Sequence, residues 1–181
     1  MSLKKNRKMY IITSIIITTI LVIYTLYSIN KPYGNDKESI VQVIKSIEGY
    51  KTESIEILEI TDINDDRLVG FLTNNNPAYI HFTKNLKGNY EWKHIEKSEG
   101  QSFASYLIHV VSDESNVLKY MIVTNQENEI AKMEMNVNGQ AIEQEFNLNQ
   151  KNVTWIDLPQ ANTHTYNFKF FDKAGSLIGE E

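Results

Sequence analysis

Apolar residues recur along this chain in two rhythms, and each predicts a different kind of element. Ile40, Val43, Ile44 and Ile47 fall at i, i+3, i+4 and i+7, the spacing of one helical stripe. That spacing predicts a helix over 37–48, opened by a capping box in which Asn35 and Glu38 satisfy free amides. Gly49 supplies its stop. A helix this short needs its stripe packed on something, most simply a sheet.

After Lys51 the rhythm changes to alternation. The runs SIEILEI (54–60), RLVGFLT (67–73), AYIHFTK (78–84) and NYEWKHIE (89–96) read as strands. FASYLIHVV (103–111), LKYMIVT (118–124), IAKMEMNV (130–137) and QAIEQEFN (140–147) follow. VTWIDL (153–158), TYNFKFFD (165–172) and a short LIG (177–179) close the series. Short polar turns separate them, and Asn138-Gly139 is the sharpest hairpin signal, suited to a two-residue type I′ turn. Links this short favour antiparallel meanders over parallel crossovers. The acidic stretch Ser112–Asn116 marks an internal boundary between a helix-plus-sheet half (37–111) and an all-β half (117–181). The second half has the strand rhythm of an immunoglobulin-like or fibronectin-like sandwich, although one continuous domain over 37–181 is the alternative.

A third pattern precedes both. Met9–Asn30 carries no charge, and at about 1.5 Å per residue a helix there spans roughly 33 Å, enough for a hydrocarbon core of about 30 Å. Tyr10 at one end and Tyr24 and Tyr27 at the other suit interfacial belts. No small-residue cleavage site follows, so the segment reads as an uncleaved signal anchor with a linker over 31–36. The expected fold class is therefore α+β: one N-terminal transmembrane helix, a short amphipathic helix on antiparallel sheet, and a β-sandwich-like C-terminal half.

Charge sharpens this expectation. The 181 residues hold 18 Lys and Arg against 23 Asp and Glu, a net charge of −5. Lys4, Lys5, Arg7 and Lys8 lie in the tail 1–8, which the positive-inside rule places in the cytoplasm. Residues 31–181 keep 14 basic and 23 acidic side chains, an acidic body expected outside the membrane. The acidic balance argues against nucleic acid as a partner. The absence of cysteine excludes disulfides, thiolate metal sites, cysteine nucleophiles and a lipidated N-terminal cysteine.

Candidate chemistry is thin. Asp62-Ile63-Asn64-Asp65-Asp66 begins like a calcium loop, but Arg67 and Thr73 stand where an EF-hand needs glycine and glutamate. The histidines at 81, 94, 109 and 164 have no metal-ligand spacing, and no phosphate-cradling or nucleophile motif occurs, so no cofactor, metal or catalytic residue is assigned. Aromatics are more informative. By the period-two rule Tyr90, Trp92 and His94 share one strand face, which Tyr79 and His81 can extend from the preceding strand. Exposed, these five residues form a platform for a sugar ring or a peptide. In the competing reading Trp92 fills the gap between helix and sheet.

The layout KKNRK, an Ile-rich segment, KESIVQVIKSIEGY, DRLVGFLTNNNPAYIHF and GNYEWKHIEK resembles small membrane-anchored extracytoplasmic proteins of Bacillus-type bacteria. The resemblance implies a location at the cell membrane, with the C-terminal domain outside, and carries over no functional residue. The resulting expectation is a non-enzymatic binding or interaction module at the cell envelope. Its partners would be the lipid bilayer through residues 9–30 and an envelope protein, peptide or wall polymer. A carboxylate-dependent envelope hydrolase and a regulator acting through its anchor are the alternatives.

Overall fold

The computed structural model describes residues 2–29, 32–111, 116–159 and 165–180. Two compact units emerge, Met1–Pro32 and Tyr33–Glu181. The first consists of helix α1, Ser2–Ile29. Among the described residues no helix is long and apolar enough to cross a membrane. Hydroxyls interrupt the apolar run of α1: Thr18 and Thr19 donate to the carbonyls of Ser14 and Ile15, each at 2.9 Å. The transmembrane signal anchor expected over 9–30 is thereby overturned. The single-pass placement derived from it, with a cytoplasmic N-terminus and an extracytoplasmic body, falls with it.

The second unit begins with helix α2, Lys37–Ser46. Its cap differs from the expected one by a residue. Asp36 accepts from the Ser39 amide at 2.8 Å, and the Ser39 hydroxyl accepts from the Asp36 amide at 2.9 Å. Asn35 is not free to cap, because its amide group binds strand backbone and Asn89 instead. Among the described residues eleven strands follow: β1 Ile55–Ile63, β2 Asp66–Thr73, β3 Asn76–Lys84, β4 Tyr90–Lys97, β5 Phe103–Val111 and β6 Asn116–Thr124. The remainder are β7 Lys132–Val137, β8 Gln140–Glu145, β9 Asn152–Asp157, β10 Tyr166–Phe171 and β11 Leu177–Glu180. Tight turns join several of them. Asn74 and Asn75 adopt φ of 48° and 68° between β2 and β3, and Asn138-Gly139 adopts 53° and 85° between β7 and β8, the left-handed pair a type I′ turn requires.

Three antiparallel sheets result, ordered β1-β2-β3-β4, β5-β6-β9 and β11-β10-β7-β8. Their cores stack in layers. Ile40, Val43 and Ile44 of α2 bury against Val69, Phe71 and Ile80 on one face of the first sheet. Leu68, Leu72 and Tyr79 on its other face bury against Tyr106, Met121 and Val153 of the second. Tyr120, Ile122 and Ile156 on the far face of the second bury against Met133, Met135 and Phe168 of the third. The middle sheet is thus covered on both sides, and consecutive Met121, Ile122 and Val123 in β6 are all fully buried.

The fold class expected from sequence is corrected accordingly. The described residues are mostly β, with three antiparallel sheets and two helices, rather than α+β with a membrane helix. Lettered in chain order, β5–β11 have the A-B-E against G-F-C-C′ arrangement of a fibronectin-like sandwich. That sandwich is not a separate layer pair, because its A-B-E sheet also closes the core of the first sheet. Residues 112–115 of the expected acidic boundary lie outside the described residues.

Candidate functional site

Strand β4 is an edge of the first sheet and carries three of the five aromatic and histidine residues singled out in the sequence. Its register with β3 runs Lys84↔Tyr90, Thr83↔Glu91 and Phe82↔Trp92, then slips so that His81 faces His94, Ile80 faces Ile95 and Tyr79 faces Glu96. The slip leaves Lys93 as an extra residue, a β-bulge. Residues opposite one another project to the same face. Trp92 and Ile95 therefore share the α2-side face with Phe82 and Ile80, whereas His94 and Glu96 share the opposite face with His81 and Tyr79. The five-residue platform expected on one face is split in two: the register sets Tyr90 and Trp92 opposite Lys84 and Phe82, on the face away from Tyr79 and His81, and the inserted residue then moves His94 to the Tyr79 and His81 side.

Burial divides the set again. Tyr79 and Tyr90 are buried, at 8% and 7% exposure, while Trp92 is 41% exposed and the His94 side chain 54%. Tyr79 packs its ring 4.7 Å from Tyr106 of β5 and 5.5 Å from the His94 ring. Burial pushes the Tyr79 phenol up to about 12. His81 meets Asp66 Oδ1 through Nε2 at 2.6 Å, and Thr83 donates to the same oxygen at 2.7 Å. Both donors converge on one carboxylate oxygen, which ties β2 to β3.

Tyr90 belongs to a different cluster. Arg67 grips Asp62 with two charge-assisted hydrogen bonds, at 2.7 and 2.8 Å, and stacks 3.9 Å above the Tyr90 ring. The Tyr90 hydroxyl donates to Asp62 at 3.1 Å. Arg67 Nη1 also donates to the carbonyls of Gly34 and Asn35, at 2.9 and 2.8 Å. These bonds bind the segment 33–36, a strap ahead of α2, onto the sheet. Its approach is close: a Cβ on Gly34 would lie 2.3 Å from the Phe82 ring. Arg67, which excluded an EF-hand, is the clasp that sequence reasoning missed. An arginine just after an Asp-rich hairpin turn was the available signal.

Other polar clusters tie layers together. Trp155 Nε1 donates to Glu59 at 2.6 Å, and Thr61 donates to the same oxygen at 2.7 Å, linking β9 to β1. Glu53 accepts from Thr73 and from Lys97, the latter at 3.1 Å. The Thr73 hydroxyl, then Lys97, holds the Glu53 carboxyl below its usual range. Arg67 does the same to Asp62, and the capping bonds from Ser39 do so to Asp36. All three are displaced in the direction that favours a persistent anion, opposite to the shift a carboxyl needs to act as a proton donor near neutral pH.

Among the described residues no three His, Asp or Glu side chains are grouped so as to hold a metal ion. An open cleft of ≈ 460 Å³ lies at the end of the third sheet, beside Lys132, Phe146, Phe171 and Asp172. Lys132 is occupied there, 2.6 Å from Glu134 and 4.6 Å above the Phe171 ring. No protein family, curated protein or solved structure matches this chain. Trp92 and His94 flank the bulge as the exposed members of the set, with the His94 ring against the buried Tyr79.

Proposed function

We propose that the Tyr33–Glu181 unit is a non-enzymatic binding module that engages a protein or peptide at strand β4. The observation that carries this reading is the bulge at Lys93, which turns Trp92 and His94 outward on opposite faces of one edge strand. A half-exposed tryptophan on a rigid support offers a large contact area at little conformational cost. Rigidity comes from the buried Tyr90 of β4 and Tyr79 of β3 and from the Arg67 clasp over the Tyr90 ring. The lowered carboxyls are already committed to structural partners, which favours binding over acid–base chemistry.

The test is selection of peptides from a random display library on the full chain, followed by affinity measurement on Trp92→Ala and His94→Ala. Loss of about tenfold or more with Trp92→Ala is the expected result for an interface anchor. Selection of no peptide, or of peptides indifferent to both substitutions, overturns the reading. A glycan screened in parallel that binds in a Trp92-dependent way while no peptide does so also overturns it.

A further inference from the structure

We infer that β4 recognises its partner by strand addition, and that the segment it takes is an extended antiparallel strand alternating apolar and basic residues. The inference rests on the binding-module reading and adds its mechanism and the chemistry of the ligand. Its basis is a pairing the chain already makes on that edge. The Gly34 amide donates to the Tyr90 carbonyl at 2.8 Å, and the Tyr90 amide donates to Asn35 Oδ1 at 2.9 Å. The strap therefore stands where a neighbouring strand would, and the Tyr90 backbone groups face out of the sheet. It runs antiparallel to β4, since Gly34 sits at Tyr90 while Asn35 reaches back to Asn89 at 2.9 Å.

Outward-facing backbone groups recur every second residue on a strand edge. The register is unbroken from Tyr90 to Trp92, so the Trp92 amide and carbonyl also face out. Beyond the bulge the inward position is marked by Ser98, whose amide donates to Pro77 of β3 at 2.9 Å. Lys97 and Ile95 consequently face out as well. Among the described residues of this unit, the strap's backbone bonds β4 at Tyr90, through Gly34. Trp92, Ile95 and Lys97 thus continue a pairing surface whose first position the strap has taken.

The side chains specify what fits. On the α2-side face an added strand meets Trp92 and Ile95, which calls for apolar residues. On the other face it meets Glu91, His94 and Glu96, and opposite charges across strands are favourable, which calls for Lys or Arg. Residues 31–181 carry 14 basic and 23 acidic side chains, a field that draws a basic segment in. The bulge restricts the site, because a strand spans it only by setting one residue against both Lys93 and His94, as His81 does on the other edge.

The experiment uses the full chain with a synthetic alternating Val-Lys peptide and its Val-Glu counterpart. In the antiparallel arrangement the Val residues lie beside Trp92 and Ile95, so their amides point at β4. N-methylation of Val amides should weaken binding by about tenfold per blocked bond, whereas N-methylation of Lys amides should leave it unchanged. Hydrogen exchange should slow at Trp92, Ile95 and Lys97 and stay as before at Glu91 and Glu96. Absence of Val-Lys binding, equal binding of Val-Glu, indifference to N-methylation, or protection elsewhere each overturns strand addition. If library peptides still depend on Trp92 while these signatures fail, the binding module stands and only its mechanism is refuted.

Discussion

Gly70 of β2 leaves no room for a side chain between the first two sheets, and replacing it with alanine tests the layered packing directly. A Cβ at this position would lie 2.6 Å from Cγ2 of Val153 in β9 and 3.4 Å from the Met121 sulfur. Carbon atoms in contact prefer about 3.5–4.0 Å, so the sheets would have to separate locally by about 1 Å. Two effects oppose each other. Gly70 has an ordinary backbone conformation, and alanine in a strand stabilises by about 0.5–1 kcal/mol through lost freedom of the unfolded chain. Overpacking a well-filled core costs about 1–3 kcal/mol, and both neighbours are buried, with Met121 fully so. The clash should win, for a net loss of about 1–2 kcal/mol, or about 2–8 °C in Tm for a chain of this size. The assay is urea denaturation of Gly70→Ala, Val153→Ala and the double variant. Val153→Ala alone should destabilise by emptying space, yet the double variant should be more stable than the two losses added together, since each change accommodates the other. Unchanged stability in Gly70→Ala, or strict additivity, would refute the inter-sheet contact.

Two further predictions concern polar ties. Glu53, held low by Thr73 and Lys97, contributes stability that is complete above the ordinary glutamate pKa near 4.3 and is lost as pH falls through its lower folded value. Glu53→Gln should therefore be less stable than the parent at neutral pH and lose less on acidification, read from urea midpoints across that window; parallel curves would refute it. Glu59→Ala strands the Trp155 indole N–H and should cost about 1–3 kcal/mol, whereas Glu59→Gln keeps an acceptor and should recover most of it by the same assay. Equal losses would place the effect outside that hydrogen bond.

Much of the local structure was legible from the chain itself. The stripe at Ile40, Val43, Ile44 and Ile47 marked α2, and each alternating run after Lys51 coincides with a strand. Asn138-Gly139 marked its hairpin because few residue pairs accept left-handed φ in succession. Capping was misplaced by one residue, since Asn35 and Asp36 are equally good caps and only the presence of Tyr90 beside Asn35 decides between them. The charge-free run over 9–30 suggested a membrane span, but composition does not measure the continuous apolar length a bilayer requires. The candidate platform failed for a narrower reason. Alternation assigns faces within one strand, but the register that sets Tyr90 and Trp92 opposite Lys84 and Phe82 rather than beside Tyr79 and His81 belongs to the pairing, and the bulge at Lys93, which moves His94 across, has no glycine or other sign around it.

By itself, then, the sequence determined which stretches form α2 and the strands, to within a few residues at their ends, because helix and strand periodicity and turn chemistry act over a few neighbouring residues. Tertiary structure alone decided how three sheets stack, why Gly70 must lack a side chain, and which of Tyr79, His81, Tyr90, Trp92 and His94 meet solvent. Those outcomes depend on contacts between residues far apart in the chain, such as Gly70 with Val153 and Arg67 with Gly34. A local pattern records that a residue is apolar or charged, and the partner that makes it buried, clasped or available arrives only when the chain folds back on itself.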